Sequence, residues 1–361
     1  MGSTWKNHIS VSIFGQSHGA AIGVTLDGIP AGEEINFDEL NAFMQRRAPG
    51  RFPWATSRKE ADIPEFLSGI VKGKTCGAPI TAIIRNTNTR SSDYSNIQTV
   101  PRPGHADYTA YVKHGKFADL SGGGHFSGRL TAALCIAGGI CIQILKRQGI
   151  FIGAHVFSVG SVQATHFNPV NISEAQLQDL WAMDMPVLDS QFVPPIIEEI
   201  EKAKKANDSV GGSIECAAIG LPAGLGSPIF DGMENKISQL VFSIPAVKGI
   251  EFGFSPLNSN IYGSNNNDPF YVDGNTVKTK TNNHGGILGG ITSGMPLIFK
   301  ASIKPTPSIG QEQQSIDLNT LEPATLTIKG RHDPCIVPRA VPCMEAALAI
   351  AIYDAIIIND P

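Results

Sequence analysis

The chain reads as helices packed on β-sheets, folding as one unit. Three observations lead there. Short β-branched apolar runs alternate with Gly/Pro turns, the punctuation of strands. Two long stretches, 129–148 and 340–358, are apolar nearly all round, as helices buried on every side must be. A faint repeat relates Ser17-His18-Gly19-Ala20-Ala21-Ile22-Gly23, running on to Gly28-Ile29-Pro30, with Asn283-His284-Gly285-Gly286-Ile287-Leu288-Gly289, running on to Gly294-Met295-Pro296. Without a gap, one His, three Gly and one Pro coincide. Gly220-Leu221-Pro222-Ala223-Gly224 echoes Gly28-Ile29-Pro30-Ala31-Gly32. Either these are chance likenesses between Gly-rich loops, or two halves are related by an internal pseudo-two-fold, each a sheet with helices on it. The second reading makes 1–361 a single domain.

Taken in order, residues 24–26, 79–84, 214–219 and 297–303 are expected strands. Residues 33–47 are an expected helix, because Phe37, Leu40, Phe43 and Met44 fall on one stripe. Residues 173–183 and 195–206 have the same amphipathic spacing. Pro342 is placed in the first turn of the last helix, where its missing N–H does no harm. Two segments are lids or solvated loops: 45–59, with five basic residues beside Pro49, Gly50 and Pro53, and 258–283, rich in Asn, Asp and Gly.

Composition narrows the class. The 361 residues are 42% hydrophobic and 17% charged, with a net charge of −4, so no global basic field invites nucleic acid. The start has no apolar run of a signal peptide and no stretch reaches membrane length uninterrupted, so a cytoplasmic protein without a membrane is expected. Six cysteines form no C-x-x-C pair, and they are expected to be reduced, buried and inert. His and Cys never fall at ligand spacing, so no metal is expected.

The chemistry gathers in glycine turns. Five of nine histidines adjoin a glycine (His18, His105, His114, His125 and His284), where composition alone gives about two. His can carry or release a proton near neutral pH, and Gly lets a ligand approach the backbone. Arg102-Pro103-Gly104-His105-Ala106-Asp107-Tyr108 sets a guanidinium, an imidazole and a carboxylate around one turn, a neighbourhood suited to proton transfer. Gly122-Gly123-Gly124-His125-Phe126-Ser127-Gly128-Arg129 leads into the first buried helix, where amides and dipole favour an anion. It matches neither the P-loop nor the dinucleotide fingerprint. Lys304-Pro305-Thr306-Pro307-Ser308 is a rigid polar strand exit, and Gly330-Arg331-His332-Asp333-Pro334 is too polar to be core without partners. Of eleven arginines, Arg46, Arg47, Arg51, Arg102, Arg129 and Arg331 lie in or beside these turns. Guanidinia gathered by an acidic chain point to a pocket for a polyanionic small molecule.

Together these segments resemble the chorismate synthase family. The order also takes in Phe14-Gly15-Gln16-Ser17-His18-Gly19, Arg46-Arg47-Ala48-Pro49-Gly50, Ala246-Val247-Lys248-Gly249 and Pro338-Arg339-Ala340-Val341-Pro342. The resemblance implies an α+β fold, a β-α-β sandwich with the long helices between two sheets, assembled as a homotetramer. It implies an anti-1,4-elimination of phosphate from 5-enolpyruvylshikimate 3-phosphate to chorismate, a redox-neutral reaction that nevertheless requires reduced FMN. By the same resemblance His18 meets the leaving phosphate, His105 supplies a proton to the reduced flavin, and Asp333 assists proton removal. His125, Phe126, Ser127, Ala246, Gly289, Lys304, Pro305, Thr306, Pro307, Ser308 and Arg331 line the cofactor site. Arg47, Arg51 and Arg129 bind substrate anions. His284 is a further flavin-site candidate and His114 a turn residue. The chain departs from the family in having Gln16 for a common Glu, His125 for a common Arg and Pro245 for a common Asn. Pro53 aligns with a second Arg, for which Arg51 or Arg58 would substitute. With no dinucleotide fingerprint, an external flavin reductant is expected rather than bound NADPH. The rival readings are a flavin-independent lyase and a non-catalytic binder of anionic metabolites.

Overall fold

A computed structural model describes residues 2–50, 52, 54, 60–87, 99–253, 261–328 and 333–359. Two antiparallel five-stranded sheets enclose a pair of helices. The first sheet runs Thr4–Lys6, Ser10–Gly15, Ala21–Asp27, Ile80–Arg85, Glu65–Ser68. The second runs Val247–Phe252, Leu297–Ile303, Gly212–Ile219, Phe151–Val159, Val162–Gln163. Helix Thr131–Arg147 lies on the first sheet, helix Val337–Asn359 on the second, and the two helices lie on each other. The layers are therefore sheet, helix, helix, sheet, as an α+β sandwich requires.

Burial explains the apolar helices. Every residue from Thr131 to Leu145 is buried, and so is most of the terminal helix. By length and hydropathy both would pass as membrane spans, yet both are sandwich core. They approach closely because Gly138 faces Ala346: a Cβ there would stand 2.2 Å from that of Ala346. Buried polar groups tie the layers together. Gln143 Nε2 donates to the Asn36 carbonyl (2.9 Å) while the Asn36 amide donates to Gln143 Oε1 (2.8 Å). Asp354 accepts from the amides of His8 (2.8 Å) and Ile9 (3.0 Å) and from Lys236 Nζ (2.7 Å), closing the N-terminal strands onto the last helix. Such buried donors and acceptors are tolerable only because they are paired.

The expected strands form as Ala21–Asp27, Ile80–Arg85, Gly212–Ile219 and Leu297–Ile303. The first helix starts later than expected, at Phe37, because the Asn36 side chain caps the amides of Asp38 and Glu39. The amphipathic helices form as Glu174–Ala182 and Val193–Lys205. Pro342 is not in the first turn: the last helix begins at Val337, and the proline lies inside it. The two copies of the repeat fold differently. Ala21–Asp27 is the middle strand of the first sheet, whereas Ile287–Leu288 and Ile291–Ser293 form a hairpin beside Ala223–Gly226. Of segment 45–59, residues 51, 53 and 55–59 lie outside the described residues. The described part of 258–283 contains Gly263–Asn266 and a hairpin, Phe270–Asp273 with Thr276–Thr279. Five cysteines are buried free thiols; Cys76 is exposed.

Candidate active site

A cleft of about 850 Å³ brings together residues from distant segments. Arg47, His105, His125, Phe126, Ser127, Arg129, Ala246, Lys304, Thr306, Pro307, Ser308 and Asp333 all line it. Pro305 sits in the same corner without lining the cleft. Arg51 and Arg331 lie outside the described residues, as do Arg58, Gly330 and His332.

The Ser121–Phe126 turn organises the proton chemistry. Gly122, Gly123 and Gly124 all have positive φ (59°, 89° and 52°). A Cβ on Gly122 would lie 2.0 Å from His18 Cε1, and one on Gly123 3.2 Å from His105 Cε1 and Nε2. The turn is thus pressed between two imidazoles, and only glycine provides both the conformation and the space. Ser17 holds the first imidazole's loop: its amide donates to Gly124 O (3.1 Å), and its Oγ stands 3.1 Å from His18 Nδ1. His18 itself is not part of the cleft lining, but Gly122 against it is.

His105 belongs to a tight polar cluster. Its Nδ1 is 2.6 Å from Asp107 Oδ1, which also accepts from Arg102 Nη2 at 2.7 Å. Asp107 Oδ2 accepts from Arg102 Nε (2.7 Å) and the Arg102 amide (3.0 Å). Burial pushes the Asp107 carboxyl up, but hydrogen bonds from Arg102 and His105 outweigh it and hold the acid ionised, well below the usual range. Arg102, which also lines the cleft, is thus already held by Asp107. Arg46 does not line it: its guanidinium pairs with buried Glu345 and stacks 4.9 Å from the Trp181 ring centroid.

Arg47 and Arg129 do reach the cleft, and they arrive with counter-charges. Arg47 Nη1 bonds Asp62 Oδ2 (2.6 Å), Arg129 Nη1 bonds Asp62 Oδ1, and Arg129 Nη2 lies 2.7 Å from Glu60 Oε2. Arg47 Nε also donates to Thr131 Oγ1 at 3.1 Å, at the start of the first buried helix. Burial raises the Asp62 carboxyl, yet Arg47 and Arg129 together hold it below its ordinary value. Its φ of 49° is a left-handed conformation that Asp tolerates better than most residues.

Opposite stand two lysines with no carboxylate partner among the described residues, Lys304 and Lys248. Burial, then the Lys248 charge beside it, hold the Lys304 ammonium below its usual value. Lys304 Nζ donates to the Gly104 carbonyl. Thr306 Oγ1, in the same corner, is buried with no hydrogen-bond partner among the described residues. Ala246 has φ 74°, and the Val247 amide donates to Ile244 O (3.3 Å), so Ile244-Pro245-Ala246-Val247 is a type II turn. Pro245 presets its first corner, which gives this chain's proline a backbone reason.

Two expected residues fall elsewhere. Gly289 occupies the turn of the Ile287–Leu288 hairpin and is not in the cleft lining. His284 is likewise absent from it; its Nδ1 bonds Asp268 and its Nε2 stands 3.0 Å from Ser293 Oγ. His125 lines the cleft but is spoken for: Nδ1 donates to Gly15 O and Nε2 meets Ser3 Oγ, each at 2.7 Å. Asp333 is ion-paired with Arg339. Arg339 and Lys248, within segments 338–342 and 246–249 of the sequence, also line the cleft. Glu60 and Asp62 carried no signal, since a carboxylate that neutralises arginines looks like any surface acid.

The donor set suits a phosphorylated, ring-bearing cofactor. Two ammonium groups without a carboxylate partner and a buried hydroxyl without a hydrogen-bond partner, both among the described residues, line the cleft, and Val11, Ile13, Leu134 and Ile336 add apolar wall.

Comparisons with known proteins point to one family. A family model described as chorismate synthase matches residues 9–357. The chain is 47% identical to a chorismate synthase of Lancefieldella parvula, covering 99% of this chain and 96% of that one. It is 44% identical to a chorismate synthase of Thermococcus kodakarensis over 96% and 95% of the two chains. A crystal structure of a chorismate synthase, 27% identical, superposes with a TM-score of 0.78 over 98% of this chain and 93% of the other.

Proposed function

The chain belongs to the chorismate synthase family, and on that premise we propose that its cleft takes reduced FMN and that His18, His105 and Asp333 handle the protons of the reaction. The reaction is the family's lyase step in the shikimate pathway: phosphate leaves 5-enolpyruvylshikimate 3-phosphate and chorismate forms, on the way to the aromatic amino acids. The observation that carries the assignment of roles is the triple-glycine turn, which holds His18 and His105 against neighbouring glycines beside a cationic cleft.

When bound in this cleft, reduced FMN would supply electron density for breaking the C–O bond and would be restored as the C6 hydrogen leaves, so that the reaction is redox-neutral overall. The protein's residues do the rest. Arg47 and Arg129 take the substrate's anionic groups, exchanging them for Glu60 and Asp62, and bidentate guanidinium contacts fix its orientation. Arg51 adds to them. His18 donates to the departing phosphate oxygen. His105 presents Nε2 to the cleft as its proton-exchanging atom. Asp333 accepts a proton, its carboxylate oriented by Arg339. Lys304, Pro305, Thr306, Pro307 and Ser308, with Ala246 and His125, Phe126 and Ser127, hold the cofactor, joined by Lys248; Arg331 and Gly289 are its further candidates. Apolar walls exclude water from the reduced ring. The whole chain, 1–361, acts as one domain, since the cleft draws residues from both ends of the sequence. The assembly is a homotetramer, the compartment the cytoplasm, which suits five buried free thiols. The flavin is reduced by an external partner.

The test is anaerobic incubation of the protein with 5-enolpyruvylshikimate 3-phosphate and chemically reduced FMN. Chorismate is expected only with reduced FMN. Product without flavin would favour a flavin-independent lyase, and binding without turnover a non-catalytic binder. NADPH with oxidised FMN and no reductase should give no sustained turnover; if it does, the external reductant is wrong.

A further inference from the structure

We propose that Asp107, clamped by Arg102, positions His105 by holding the ring proton on Nδ1, so that Nε2 is the atom that gives and takes a proton in the cleft. The inference rests on the reading that His105 acts on a proton; the geometry behind it is independent of that reading.

The Asp107 carboxylate receives four donors. Oδ1 takes His105 Nδ1 (2.6 Å) and Arg102 Nη2 (2.7 Å), and Oδ2 takes Arg102 Nε (2.7 Å) and the Arg102 amide (3.0 Å). Asp107 is only 1% exposed. An ionised carboxylate can only accept, so the nitrogen facing it must bear hydrogen. Arg102 Nη2 also stands 3.1 Å from Nδ1. Both are donors that converge on the same oxygen, an arrangement that closes only if Nδ1 is protonated. The other ring nitrogen, Nε2, turns to Gly123 and has no hydrogen-bond partner among the described residues.

Arg102 gives the clamp its character. A lone carboxylate beside the imidazole would favour the permanently charged ring. Here the bidentate guanidinium shares the carboxylate with the imidazole, leaving Oδ1 free to accept the Nδ1 proton. The ring can then cycle between a neutral form with a lone pair at Nε2 and a charged form with a proton there. Arg102 Nη1 also reaches Ser308 Oγ (3.3 Å), linking the clamp to the corner assigned to the cofactor. Asp107 opens helix Asp107–His114, where the helix dipole favours its charge. Released from the clamp, the neutral ring prefers its proton on Nε2, which would put a donor where a lone pair is needed.

The experiment has two parts. First, the imidazole nitrogens of histidine-labelled protein are recorded by 15N NMR without substrate or flavin, with the His105→Gln protein identifying the His105 signals. The neutral ring should carry its proton on Nδ1, and in Asp107→Ala it should move to Nε2. A wild-type His105 protonated on Nε2 overturns the proposal. Second, Asp107→Ala and Asp107→Asn should lower kcat by about 10²–10³-fold, with the substrate KM within about threefold. The comparable loss in a serine-protease triad, about 10⁴-fold, is an upper guide. Asparagine should not rescue, because its amide must point a donor at either Arg102 or His105. Combining Asp107→Ala with His105→Gln should be no worse than His105→Gln alone. Additive losses, or a kcat of Asp107→Ala within about threefold of wild type, overturn the proposal. Full activity of His105→Gln would instead remove His105 from the mechanism and leave the tautomer result to judge the clamp.

Discussion

Asp62 is the residue on which Arg47 and Arg129, the proposed substrate arginines, depend. It joins Arg47 and Arg129, is 2% exposed, and has its carboxyl held below the ordinary value. Asp62→Asn keeps the side-chain shape and tolerates the left-handed backbone equally well, so the change isolates charge. Removing one partner of a buried ion pair costs about 3 kcal/mol or more, and that loss is expected in urea denaturation at pH 7. The sign with pH follows from the depressed carboxyl. Its stabilisation is complete above the unfolded value of about 4 and disappears as pH falls through the folded value. The penalty of Asp62→Asn should therefore be flat from pH 6 to 8 and shrink in acid; a penalty that grows on acidification contradicts the ion pair. At this scale the sequence was legible in kind but not in partnership. Arg46, Arg47, Arg102 and Arg129 all stood beside Gly-rich turns, yet two of them face inward to Glu345 and Asp107. Glu345 lies 299 residues from Arg46 and leaves no local pattern, whereas Asp107 stands five residues from Arg102 within one motif.

Among elements, the contact between the two central helices is set by a missing side chain. At Gly138 an added methyl would stand 2.2 Å from Ala346 Cβ and 2.3 Å from its Cα. Gly138→Ala gains about 1 kcal/mol of helix propensity. It must also push apart two helices fixed against opposite sheets, and overpacking costs about 1–3 kcal/mol, sometimes more. The obstacle is backbone rather than a flexible tip, so strain should win, and Gly138→Ala is expected to lower the denaturation midpoint by the equivalent of about 1–2 kcal/mol. A rise in the midpoint would show that the helices can separate. The same logic marks what sequence could reveal of the elements. Leu297–Ile303 and Gly212–Ile219 announce themselves as mostly apolar runs, interrupted by Lys300 and Ser302 in the first and by Ser213 and Glu215 in the second. Phe151–Val159 was passed over, since Gly153 and His155 break its run. Both have tertiary reasons: Gly153 admits Leu177, whose Cδ2 would lie 2.9 Å from an added Cβ, and buried His155 meets Glu215 at 3.0 Å across the sheet. The 33–47 helix likewise lost its first turn to a cap that apolar periodicity alone does not show.

For the whole molecule, two all-apolar helices announced a helical core buried on every side, but the two sheets around them followed from the family resemblance, because a helix bundle would hide such helices equally well. How copies associate was not legible, since the surface that would do it shows no periodicity. The hairpin Phe270–Asp273 with Thr276–Thr279 supplies a candidate. Val272 and Val277 are cross-strand partners, 71% and 59% exposed, with Phe270 on the same face at 66%. A two-stranded hairpin alone is marginal in water, and an apolar face left open on one is the kind of surface that subunits cover. If the proposed homotetramer uses it, charging the pair as Val272→Lys with Val277→Lys sets two ammonium groups directly opposite each other on that face, where like charges repel. Light scattering on the wild type should give four times 38.4 kDa, and the double variant a smaller assembly at the same concentration. The far-ultraviolet dichroism of the sandwich should be unchanged, because Val272 and Val277 belong to neither large sheet. A variant that keeps the wild-type mass would place the subunit contact elsewhere, and a monomeric wild type would end the tetramer proposal.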